Sequence, residues 1–187
     1  MKPTIQVANG AFFNFLRPDL FNFDILVIAH SLANLCRFTG HTVTFYSVAQ
    51  HSVLVSHAVP QEHALAALLH DAHEAFVGDV SSPLKALIPQ YKDLERQVET
   101  QLRMAYGVPV DMPPCVKQAD LRALAAETRD LMVNTGPEAT EWIGLRGIEP
   151  LPDRIYPWSP ETAALAFLDR FTELQPEVAL EAGGFAA

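Results

Sequence analysis

ALLHDAHEAFVGD, residues 67–79, sets a hydrophobic helical stripe against a dense group of titratable side chains. Leu65, Leu68, Leu69, Ala72 and Phe76 recur at the spacing of one helical face, and Gly78 supplies a natural terminator for a helix over 62–77. His70 and Asp71 stand inside that apolar run. An ionised carboxylate is costly in such surroundings unless it is paired or bound to a cation. Asp71 therefore predicts a compensating partner brought in by another element.

The flanking sequence supplies the other elements. Towards the N-terminus, Asp24 can cap a helix carrying Val27, Ile28, Leu32 and Leu35 until Thr39-Gly40 interrupts it, and a second helix runs from Tyr46 to about Val59 before Pro60. Towards the C-terminus, GDVSSP reads as turn. Tyr91, Leu94, Val98, Leu102 and Ala105 then mark a fourth helix ending at Gly107. A fifth spans Pro114 to Leu131, and Ser159-Pro160 caps a sixth through Leu174. Before them all, Ile5 and Val7, then Phe13 and Phe15, alternate around Asn9-Gly10, which predicts a small β-hairpin. Residues 134–158 combine Pro and Gly with Trp142, Ile143, Tyr156 and Trp158, as a packed loop would, and the tail from about 176 reads as flexible. The expected fold is all-α, a bundle of about six main helices with an N-terminal hairpin.

A chain of 187 residues that is 49% hydrophobic has the length and apolar content of one domain spanning 1–187. Its two cysteines, Cys36 and Cys115, build no disulfide framework and no Cys-x-x-Cys pair. No run of eighteen apolar residues and no export-like N-terminus is present, so a cytoplasmic location is expected and a membrane partner is not. The net charge of −9 argues against wrapping a nucleic acid polymer, because that binding neutralises many phosphates with Lys and Arg.

Two further residues complete the chemistry-bearing set: His51 in FYSVAQHSVLVSH, and Asp120 in KQADLRALAAE, which shares a helical face with Ala123, Leu124 and Glu127. Histidine nitrogens and carboxylate oxygens from His51, His70, Asp71 and Asp120 form a mixed set suited to octahedral Mn²⁺, Co²⁺, Fe²⁺ or Ni²⁺, with positions left for water and substrate.

His51, His70-Asp71 and Asp120 together resemble the H…HD…D signature of the HD-domain phosphohydrolase superfamily. AQHSVLV, LLHDAHEAFVGDVSSPLK and KQAD are similar to small YfbR-type 5′-deoxynucleotidases and to phage enzymes that hydrolyse deoxynucleoside triphosphates. The resemblance covers roughly residues 34–130. It implies an HD-domain helical bundle, a divalent ion (Co, Mn, Fe, Ni or Mg), a nucleotide substrate and a homo-oligomer, a homodimer or higher. It also implies particular roles. Glu74, three residues after Asp71, would handle protons for the attacking water or the leaving group. Asp79, eight residues after Asp71, would contact a sugar 3′-hydroxyl. Arg37-Phe38, beginning fourteen residues before His51, looks like the family's Arg-Trp pair, with arginine on phosphate and the ring near sugar or base. Phe stands here where the family has Trp, and Lys85 would add charge near the phosphate.

The remaining histidines carry plainer readings. His57 and His63 are expected at the surface or core edge, His30 and His41 bracket Arg37 without a decisive spacing, and His73 can flank the site. Glu127 is expected to pair with neighbours of Arg129 or with solvent. The cluster Phe12, Phe13, Phe15, Phe21 and Phe23 reads as core or dimer contact. In function, 5′-deoxynucleotidase activity on deoxynucleoside monophosphates leads. Triphosphate release from a dNTP is the alternative, and a non-catalytic nucleotide sensor is the outsider.

Overall fold

The computed structural model describes residues 2–133 and 144–175. Trp142, Ile143 and the tail from 176 lie outside the described residues. Strands β1 (Thr4–Gln6) and β2 (Phe12–Asn14) form an antiparallel hairpin with Ile5 opposite Phe13. Its turn places Gly10 at φ +86°, which costs little for a residue without Cβ. Phe13 is fully buried and its ring packs on Phe15, Phe21 and Phe76, which anchors the hairpin to the helical core. Phe12, on the opposite face, is exposed.

The helices follow the capping signals. Helix α1 (Ile25–Asn34) begins where the Asp24 carboxylate accepts from Leu26 N at 2.9 Å. Helix α2 (Val48–His57) begins at Ser47, whose hydroxyl accepts from Gln50 N at 3.2 Å. Next come α3 (Ala64–Leu68), α4 (Glu74–Val77) and α5 (Ser82–Leu87). The long helices α6 (Pro89–Ala105), α7 (Pro114–Leu131) and α8 (Pro160–Leu174) each carry proline in the first turn, where its missing N–H costs nothing. Among the described residues no helix is long and apolar enough to cross a membrane.

The continuous helix expected over 62–77 is broken in the middle. Ala67 O would accept from Asp71 N in an unbroken helix. Instead it accepts from the His70 ring Nδ1 at 2.7 Å. The chain then tightens into turns closed three residues apart, with Ala72 N on Leu69 O and Glu74 N on Asp71 O at 2.9 Å for the second. In such turns residues three apart eclipse one another, so Asp71 and Glu74 share a face. Helix α4 resumes and stops at Gly78, φ +85°. GDVSSP likewise differs from expectation: after Gly78-Asp79-Val80-Ser81 it turns directly into the short α5.

Helix α2 is the hub, packed against α1, α3, α7 and α8. Most of its length is buried, including polar Gln50, His51, Ser52 and Ser56. Gln50 holds the segment before α8 by donating to Tyr156 O and accepting from Trp158 N, both at 2.8 Å. Val55, Ala67, Val116, Ala119 and Ala123 form a small core that joins α2, α3 and α7. That junction brings His51, His70-Asp71 and Asp120 within reach of one another.

Candidate metal centre

His51 projects from the middle of α2, His70 and Asp71 from the tight turn between α3 and α4, and Asp120 from α7. The pair was expected on a helix; the turn that carries it is irregular because the His70 ring captures the Ala67 carbonyl. His51 Nε2 lies 3.2 Å from His70 Nε2, 3.4 Å from Asp120 Oδ1 and 3.6 Å from Asp71 Oδ2. His70 Nε2 lies 3.2 Å from Asp71 Oδ2 and 4.0 Å from Asp120 Oδ1. The four expected ligands therefore converge.

The hydrogen-bond network shows what this cluster fits. His51 Nδ1 donates to Glu127 Oε1 at 2.6 Å and His70 Nδ1 donates to Ala67 O at 2.7 Å. In neutral imidazoles both Nε2 atoms then carry lone pairs, and these face each other and two carboxylates. A shared cation would reconcile four acceptors around one point, and imidazole plus carboxylate is a donor set for a divalent metal. Burial and Arg37 push the His51 pKa down, yet Glu127 and Asp120 carry it up to about 9. Burial works against Asp120, but His51 and His70 bring it down to about 2. Asp71, also opposed by burial, is held well below the ordinary carboxylate range by His70, His51 and Arg37.

The residues assigned to substrate and proton handling surround this centre. Arg37 is buried, with Nε and Nη2 donating to Glu127 Oε2 at 3.3 and 3.1 Å and Nη1 lying 3.5 Å from Asp71 Oδ2. The Phe38 ring sits with its centroid 5.7 Å from the Arg37 guanidinium carbon. Phe38 and Thr39 both adopt φ +54°, a left-handed conformation that strains a β-branched threonine. Glu74 is buried, and burial, reinforced by Asp71 and Asp79, drives its pKa well above the ordinary value. Asp79 is raised by burial and by Asp71, against the pull of Arg37. Lys85 Nζ approaches Glu74 Oε1 at 3.7 Å but is bound more closely, at 2.5 Å, to Glu95 Oε1.

Glu127 and Glu95 are the participants that reading the sequence missed. Glu127, expected to pair with neighbours of Arg129 or with solvent, is completely buried and linked to both His51 and Arg37. The signal was its place seven residues after Asp120, two turns along the same face of α7. Glu95 also meets His73 Nε2 at 3.4 Å, which makes His73, Glu74 and Glu95 a second cluster with metal-ligand chemistry. The Lys85 ammonium already supplies its positive charge. His30, His41 and His57 are exposed.

A cavity of about 210 Å³ opens from His70, Asp71 and Asp120 towards Lys85, Lys117 and Glu95. A larger hollow of about 380 Å³, between the segment after the hairpin and α6, has none of the converging residues in its walls.

Residues 23–129, which contain every residue of this centre, match the family described as 5′-deoxynucleotidase YfbR-like. The chain belongs to that family. It is 44% identical over 175 residues to the protein YfdR of Escherichia coli (strain K12), covering 91% of this chain and 94% of YfdR. It is 34% identical over 124 residues to a protein of Rhodobacter capsulatus, covering 61% of this chain and 63% of that protein. Both relatives are uncharacterised. Membership in the YfbR-like family makes this chain, by class, an HD-type nucleotide phosphohydrolase and implies a divalent metal, for which the His and Asp cluster provides fitting donors.

Proposed function

We propose that the chain is a metal-dependent 5′-deoxynucleotidase, hydrolysing deoxynucleoside monophosphates to nucleoside and phosphate. The observation that carries this reading is the convergence of two imidazole Nε2 atoms with two carboxylates, at 3.2 to 4.0 Å, beside a buried arginine and a buried glutamate. His51, His70, Asp71 and Asp120 would hold the ion. When bound, it supplies Lewis acidity that polarises a phosphoryl oxygen and lowers the pKa of an attacking water.

The chain's own groups do the rest. With Nε and Nη2 on Glu127, Arg37 would turn Nη1, which meets Asp71 Oδ2 at 3.5 Å, to a phosphoryl oxygen and stabilise charge developing there. Glu74 accepts the proton of the attacking water as the new P–O bond forms and returns it to the 5′-oxygen as the old bond breaks. Burial, with Asp71 and Asp79, raises its pKa and so favours the protonated form that donates to the 5′-oxygen. Asp79 would accept from the sugar 3′-hydroxyl, and Phe38 would flank the sugar or base. Location in the cytoplasm and assembly as a homodimer belong to the same proposal, as does a single domain over the whole chain.

Two acids on the cavity wall favour a monophosphate. Glu95 and Glu99 line it, and Glu95 neutralises Lys85, so a chain of three phosphates would run against carboxylates. A panel of dNMPs, dNTPs and ribonucleotides with Mn²⁺ or Co²⁺ tests this. Orthophosphate from dNMPs is expected. Triphosphate from a dNTP would replace the reading with the triphosphohydrolase alternative, and turnover of no nucleotide under any metal would leave a nucleotide sensor.

A further inference from the structure

Glu127 uses both carboxylate oxygens on the site, and no water competes because the side chain is fully buried. Oε1 accepts from His51 Nδ1 at 2.6 Å, which fixes the ring so that the Nε2 lone pair points at His70 and Asp120. Oε2 accepts from Arg37 Nε and Nη2, which fixes the guanidinium plane and leaves Nη1 towards Asp71. Burial disfavours the charged carboxylate, but Arg37 and His51 more than compensate. One side chain thus braces a group assigned to the cation and a group assigned to phosphate.

The geometry points to Glu127 as a positioning residue that serves both halves of the site: it sets the affinity of the metal through His51 and, independently, the affinity of phosphate through Arg37. This inference rests on the metallophosphohydrolase reading above. Neutral isosteres do not substitute, because an amide at position 127 has one acceptor and one donor. Whichever way it turns, its NH₂ faces either the His51 Nδ1–H or the Arg37 fork, and at least one brace becomes a repulsion.

The test measures Mn²⁺ binding by titration calorimetry, then inorganic phosphate binding at saturating Mn²⁺, in the wild-type protein, Glu127→Gln and Arg37→Gln. In Glu127→Gln, Mn²⁺ affinity is expected to fall by about 10- to 100-fold. Phosphate affinity at saturating Mn²⁺ is expected to fall by about tenfold, the scale of one charge-assisted hydrogen bond. Arg37→Gln is expected to lose the phosphate affinity alone, with Mn²⁺ bound no more weakly than in the wild type. If Glu127→Gln fails to fold, Glu127→Asp takes its place, since it keeps the charge but cannot span both partners. A merely structural glutamate would lower the melting temperature and leave both affinities within threefold, which would overturn the inference. Loss of only one of the two affinities would overturn it as well. A wild-type protein that binds neither Mn²⁺ nor phosphate would instead sink the parent reading.

Discussion

The two sides of the site are built differently. On one side His51, Glu127 and Arg37 are buried and bonded to one another, and both Glu127 oxygens are used. On the other, His73, Lys85 and Glu95 border a cavity with Glu74 buried beside Lys85, and Glu74 Oε2 and His73 Nδ1 are buried without a hydrogen-bond partner among the described residues. Buried polar atoms are normally satisfied, so these two are poised for water or substrate. The contrast separates a preorganised frame, which fixes ligands, from a reactive face, which waits for what it will act on.

Substitutions can break that contrast. The largest effect is expected from Asp71→Asn, which removes a carboxylate charge from the proposed metal ligands: metal uptake and turnover should vanish together, and retained activity would eliminate the proposed site. Glu74→Gln acts on the reactive face. It should lower kcat by roughly 10²- to 10⁴-fold while metal uptake persists, as single-turnover assays alongside metal analysis would reveal.

Acid should also distinguish the two sides. Glu127 and Asp120 titrate near about 2 in the folded chain, below their ordinary values. Their stabilisation is present above the ordinary carboxylate range and is lost as pH falls towards the folded values. For EDTA-treated protein the melting temperature should drop steadily from about pH 5 to about pH 3. A flat profile there would contradict the picture of the frame. Glu74 has the opposite sign: its raised pKa makes ionisation a cost that grows as pH rises through the ordinary glutamate value. Glu74→Gln should therefore stabilise the metal-free protein at neutral pH even as it destroys activity.

The smallest effect concerns the strained turn after Arg37. Thr39→Gly removes a β-branched residue from φ +54° and should stabilise the fold by about 1 kcal/mol, measured by denaturant unfolding. If that turn holds Phe38 against the guanidinium, KM should rise at the same time.

The sequence made the helices and the side chains that converge at the candidate centre legible and left the frame's interior partly hidden. Capping residues Asp24, Ser47 and Ser159 and the stripe from Tyr91 to Ala105 were readable because they act through local spacing. The break at His70 was not, since it depends on a ring nitrogen outcompeting a backbone amide for Ala67 O. Ser81-Ser82-Pro83 carried turn chemistry, yet the chain there enters α5. Glu127 lay on the correct face of α7, but its partners are 76 and 90 residues away in the sequence. The link from Lys85 to Glu95 depends on how α5 folds back on α6.

Crystals soaked in Co²⁺ and measured at the cobalt absorption edge test the central claim most directly. The account expects one anomalous peak per chain, bounded by His51 Nε2, His70 Nε2 and carboxylate oxygens of Asp71 and Asp120. A peak at His73, Glu74 and Glu95 instead, or no peak in protein that still turns over nucleotides, would contradict it.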